Sequence, residues 1–180
     1  MNVTEILKKY AAGVRNFTGE DLSQAELDGA ALSEVDLSGA NLSGASLDGV
    51  TLDGALLDGA DLSNANLSQA DLNGANLVNA DLSNANLSGA MLDGAVLAGA
   101  DLDQANLSQA DLAAANLSQA NLNAAKLNKA NLSGANLDQA NLNQAELIVA
   151  DLTQANLSEA NLDQVNLNGA NLDKTILGER

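Results

Sequence analysis

The sequence predicts an all-β fold, a square parallel solenoid opened by one short helix, and three observations predict it. First, an apolar centre recurs every five residues without a slip. Phe17 occupies the first centre and Leu every later one from Leu22 to Leu177, 32 Leu in 33 centres. Second, the flanks of each centre are fixed: Ala stands two before it in 27 of the 33, and Asp or Asn just before it in 23. Third, the 180 residues contain no Pro, and only Tyr10 and Phe17 are aromatic.

Only one kind of coil accommodates that period. A helix turns about 100° per residue, so residues five apart would scatter around its surface. A strand would send alternate Leu residues to opposite faces. A chain that turns the same way every five residues buries all of them on one side. Four such corners make a rung of 20 residues, and residues twenty apart then stack at the parallel-strand spacing of ~4.8 Å. The small Ala shares the interior with Leu, while Ser, Asn, Asp, Gln and Gly face water. Gly two after the centre (Gly29, Gly39, Gly44, Gly49, Gly54, Gly59) suits turns that need a left-handed residue. The lack of Pro fits, because each rung needs its N–H groups for the next. The 33 pentapeptides give eight rungs and one extra side, a rod of about 40 Å.

The N-terminus breaks the phase. Residues 2–14, NVTEILKKYAAGV, read as a helix that Asn2 or Thr4 can cap, with Glu5 in its first turn and Gly13 ending it. Ile6, Leu7, Tyr10 and Ala11 form an apolar stripe, with Lys8 and Lys9 pointing away. Such a helix is expected to lie as a lid on the first rung. The chain therefore divides into a capping helix (1–14), a solenoid (15–177) and a tail (178–180). Lys174, Glu179 and Arg180 are expected to blunt the far end with charge.

The motif A-(D/N)-L-x-x, running through residues 15–177, resembles that of the pentapeptide-repeat family. The resemblance implies a right-handed quadrilateral β-helix, in agreement with the right-handed crossover rule. It says little about function, because folds do not dictate function. Some members are DNA mimics that occupy the DNA-binding surface of type II topoisomerases. This chain lacks the hydrophobic C-terminal helix that pairs those relatives, and their interrupting loops as well.

Composition removes most chemistry. Without Cys or His there is no thiol nucleophile, imidazole base, zinc finger or disulfide framework. An uninterrupted convex rod offers no cleft to perturb a carboxylate, and no glycine-rich phosphate loop occurs. The expectation is no enzyme, no cofactor, no direct nucleic-acid binding and no membrane span. A cytoplasmic monomer or end-to-end homodimer is expected.

What remains is charge. The formal net charge is −17. Between Arg15 and Lys126 lies no Lys or Arg, and that stretch holds sixteen acids from Glu20 to Asp111. Spread over 5.5 rungs, they amount to one charge per ~1.6 Å of axis, against ~1.7 Å for B-DNA. The first functional reading is a structural or protein-interaction solenoid. The alternative is an acidic DNA mimic that binds a type II topoisomerase or another DNA-binding protein. Stacking by twenty also aligns Asp61, Asp81 and Asp101 in one column. Like charges so placed repel, unless a hard cation such as Ca²⁺ or Mg²⁺ neutralises them. Lys126 and Glu146 are expected to stack as an opposite-charge pair. Leu56, Val78, Met91, Val96, Ile148 and Val149 point outward and break the polar pattern, as scattered apolar surface residues commonly do.

Overall fold

Twenty-residue stacking is the organising fact of the molecule. In a computed structural model, which describes residues 2–178, parallel bridges join each residue before a centre to its counterpart twenty positions on. They run unbroken from Asn16↔Asp36 to Asp151↔Asn171. The next position, Asn156↔Ile176, widens into a two-residue parallel pair, β1 (Asn156–Leu157) with β2 (Ile176–Leu177). Four pentapeptides therefore make one turn of the coil.

One hydrogen-bond scheme recurs along the coil, and residues Asn41–Ala45 show it in full. Leu42 N–H donates forward to Asp61 O at 2.6 Å, and Gly44 N–H forward to Ser63 O at 2.8 Å. Asn41 N–H donates back to Glu20 O at 2.9 Å. Ala45 N–H closes the turn on Leu42 O at 3.0 Å. The fifth N–H, that of Ser43, donates to the side chain of Asn41 at 3.0 Å. All five donors are satisfied, which is what a tightly wound backbone requires.

The corner residue two after the centre has a left-handed φ throughout, from Gly19 to Lys174. That is the third residue of a type II turn. Gly marks only 13 of these 32 corners; Gln, Asn, Ala, Glu, Lys and one Val hold the other 19. The glycines suit the turn without being what makes it. The closing bond and the three rung-to-rung bonds impose the conformation on residues that enter it at a cost.

The core is a column of Leu and Ala without a buried polar residue among the described residues. From Leu27 to Leu152 every centre is at most 2% exposed. Each buried Leu contributes roughly 2 kcal/mol, so the column suffices without aromatics.

At the N-terminus, α1 spans Val3–Ala11. Asn2 is its N-cap, its side chain accepting from Glu5 N–H at 2.8 Å. The helix ends in a Schellman arrangement, with Val14 N–H on Lys9 O and Gly13 N–H on Tyr10 O. Gly13 there has φ 93°. Ile6 is buried in the core, with Val3 and Tyr10 packed beside it. Leu7 and Ala11 of the expected stripe are exposed. The face actually seated is thus Val3–Ile6–Tyr10, spaced by three and four as a helix face should be.

Candidate functional site

The outer faces are the candidate site, and they are built from the residue before each centre. In all 23 pentapeptides where that residue is Asp or Asn, its Oδ1 accepts the N–H two residues on; Ser23 N–H to Asp21 and Ser158 N–H to Asn156, both at 3.1 Å, are examples. This is an Asx turn, and it explains the (D/N) of the motif. Where another residue stands there, a side chain one rung below can take over. Asp28 accepts from Asp48 N–H, Asn73 from Asp93 N–H and Asn128 from Ile148 N–H, at 2.9–3.0 Å.

The tie uses an oxygen that both Asp and Asn possess, so the turn does not require the charge. Yet the choice is lopsided along the rod. Of the 13 ties from Asn16 to Asp111, seven are Asp; of the ten from Asn116 to Asn171, only Asp151 is. In the Asn-rich part the spare amides form ladders. Asn121 Nδ2 donates to Asp101 at 2.9 Å, and Asn141 to Asn121 and Asn161 to Asn141, both at 3.1 Å. Asn136 and Asn156 continue another ladder from Asn116.

Two carboxyls are held below the usual carboxylate range. The Ser23 hydroxyl and then the Ser23 amide, both donating to it, do this to Asp21. The Thr153 hydroxyl, at 2.5 Å, and then the Thr153 amide do it to Asp151. Hydrogen bonds to the ionised form favour it.

Asp61, Asp81 and Asp101 lie on successive rungs of one column. Asp61 accepts from Ser63 N–H at 3.0 Å, Asp81 from Ser83 N–H at 2.9 Å and Asp101 from Asp103 N–H at 3.0 Å. Each therefore faces its own turn. Among the described residues no three acids converge as a metal site would require. Lys126 and Glu146 do pair in register. The Glu146 carboxylate, however, accepts from Asn128 Nδ2 at 2.8 Å. Among the described residues the ion pair within 4 Å is Lys9–Glu5 on α1.

The outward apolar residues do not merge into one patch. Asn76 bridges both Leu56 and Val96 and so separates them, and Met91 stands between Asp71 and Asp111. Val149 is 56% exposed, whereas Val78, Val96 and Ile148 are half-buried. At the far end Leu172, Ile176 and Leu177 are exposed. Of the residues expected to blunt that end, Lys174 is exposed at a corner, and Glu179 and Arg180 lie outside the described residues. Among the described residues no helix is long and apolar enough to cross a membrane.

A family model for pentapeptide repeats matches the chain in 8 copies between residues 16 and 178. Among solved structures the chain is similar to HetL, a pentapeptide repeat protein involved in heterocyst differentiation regulation in the cyanobacterium Nostoc sp. strain PCC 7120. The identity is 37% over 98% of this chain and 94% of that one, with a TM-score of 0.47. It is also similar to a pentapeptide repeat protein of the Arabidopsis thaliana thylakoid lumen, at 31% identity over 57% of this chain and 69% of that one, TM-score 0.45. A third is QnrB1, a plasmid-mediated fluoroquinolone resistance protein, at 21% identity over 90% of each chain, TM-score 0.47. No curated protein matches the chain.

Proposed function

Because the chain belongs to the pentapeptide-repeat family, we propose that it is a non-enzymatic rod that binds a protein partner through the acid-rich faces of its first five rungs. In this reading the rod winds as a right-handed quadrilateral β-helix, and α1 closes its first rung. The supporting observation is the uneven use of Asp at ties that Asn serves equally well. Fold stability does not account for a charge that the turn does not need. A surface that attracts a positively charged partner does, because complementary charge speeds encounter and selects among partners.

The test uses that same equivalence. Asp61→Asn, Asp81→Asn and Asp101→Asn keep each tie and remove one acidic column. Capture of partners from the source cell by the parent, lost in the triple variant and in high salt, is the expected result. Equal capture by both proteins would sink this reading.

A second reading is favoured by one quantity, the axial charge density of the segment between Arg15 and Lys126. A density near that of B-DNA suits a DNA mimic directed at a type II topoisomerase or another DNA-binding protein. Such a mimic inhibits DNA supercoiling by a bacterial type II topoisomerase, competes with DNA, and loses inhibition steeply with salt. No inhibition at micromolar protein in low salt removes it.

A further inference from the structure

We propose that one face of the rod binds the same face of a second copy, side by side and antiparallel. Parallel bridges stack Glu26, Ser46, Asn66, Asn86, Asn106 and Lys126 in one column on that face. Asp28, Asp48 and Lys129 stand on the corner that follows the column, and all five charged groups are exposed. Between residues 49 and 125 this face carries no acid, whereas the other three hold nine between them. Lys126 and Lys129 are the bases of the coil between Arg15 and Lys174. Among the described residues neither has a carboxylate within 4 Å, Glu146 accepting instead from Asn128 Nδ2.

The face is thus acidic towards one end, neutral in the middle and basic towards the other. Turned end over end, it is complementary to itself. A two-fold axis midway between the rungs of Asn66 and Asn86 sets Glu26 opposite Lys126, Ser46 opposite Asn106 and Asn66 opposite Asn86. Each pairing occurs twice, as an isologous contact requires. At the corner Lys129 falls opposite Gly29, which has no side chain in its way, and beside Asp28. In the middle Asn86 Nδ2 donates to Asn66 at 3.0 Å and Asn106 Nδ2 to Asn86 at 3.1 Å. Each of these amides keeps a second N–H for the opposite copy. On the other three faces the charges between Arg15 and Lys174 are all acids, so copies meeting there repel, and that repulsion selects this face. The chain exposes 7705 Å², of which one face in four is about 1,900 Å²; covering under half of it supplies the ~800 Å² per partner of a standard interface.

The experiment follows the whole chain by sedimentation equilibrium at about 0.15 M salt. There a Debye length of about 8 Å screens acids on distant faces and spares charges in contact. Expected is a reversible equilibrium that stops at two copies. Glu26→Lys alone and Lys126→Glu alone should each weaken it about tenfold or more, because each sets like charges together twice. An equimolar mixture of the two variants should pair as well as the parent, since opposite charges meet again at both contacts. A chain that had merely misfolded gains nothing from the mixture. The chain has no Cys, so mixing Ser46→Cys with Asn106→Cys reads the register. Oxidation should link the two variants to each other and neither to itself, because like positions stand three rungs apart, about 14 Å. Asp61→Asn, Asp81→Asn and Asp101→Asn, on a different face, should leave the dimer intact, which separates this contact from the capture of other partners. A chain that stays monomeric at several hundred micromolar, variants that do not rescue each other, no cross-link in the mixture, or a dimer lost in the triple variant overturns the proposal.

Discussion

The Tyr10 hydroxyl donates to the carbonyl oxygen of Ser33 at 2.9 Å, tying the end of α1 to a corner 23 residues away. The same ring lies under the Arg15 guanidinium, 3.9 Å from its centroid, and Arg15 in turn donates to Tyr10 O at 2.9 Å. One side chain thus joins the helix, the first corner and the start of the coil. Tyr10→Phe keeps the ring and removes the donor. The first rung should lose about 1 kcal/mol of local stability, read as faster amide exchange in residues 16–36 with no change beyond the second rung.

The Asp81 carboxylate both ties a turn and stands between two like charges. Asp81→Asn keeps the tie, so it should be neutral or slightly stabilising at low salt, with the gain shrinking as salt is added. Asp81→Ala loses the tie and should cost about 1 kcal/mol. Thermal melts of the two variants across a salt series separate these effects. Clear destabilisation of Asp81→Asn that millimolar Ca²⁺ reverses only in the parent would instead favour an ion site.

Asp151 titrates below the usual carboxylate range because Thr153 holds its ionised form. A lowered folded value means that the contribution to stability is present above the ordinary carboxylate range. It is lost as pH falls through the lowered value. Thr153→Val should move the Asp151 titration upward toward the ordinary value, followed by carboxyl-carbon NMR, while the Asp21 titration stays where it was.

Val149 is the one β-branched residue among the left-handed corners, with φ 59°. Branching at Cβ makes that region costly. Val149→Gly should stabilise the rod by about 1 kcal/mol, and Gly39→Val, at φ 64°, should destabilise it by a similar amount. Denaturant midpoints at constant m-value measure both.

The rod was legible because its information is periodic. The Leu column from Leu22 to Leu177 admits one winding, and Lys126↔Glu146 or Asp61↔Asp81 then follow by adding twenty. The helix was legible from the break in phase, and capping chemistry narrowed its cap to Asn2 or Thr4, of which the structure uses Asn2. Three things were not. The Asx tie needs knowledge of which N–H the rung bonds leave over, and that appears only once the backbone is in place. The left-handed corners at Gln24 and Val149 are forced by hydrogen bonding against the preference of the residue. The seating of α1 through Val3, Ile6 and Tyr10, with Leu7 left outside, depends on how the helix crosses the first rung, and a stripe alone does not fix that angle. The acidic faces were visible as composition, but only the equivalence of Asp and Asn at the tie separates charge from architecture.

Because the bonds between rungs lie along the rod, its mechanical response depends on the direction of pull. Tension applied evenly to both ends is shared by three bonds at each of four corners, twelve in parallel across any one rung interface. The same force applied to one terminus of the chain loads a single corner and unpicks three bonds at a time. The rod is therefore stiff as a strut and weak as a thread, and the Asx ties, which lie within corners, carry none of the axial load.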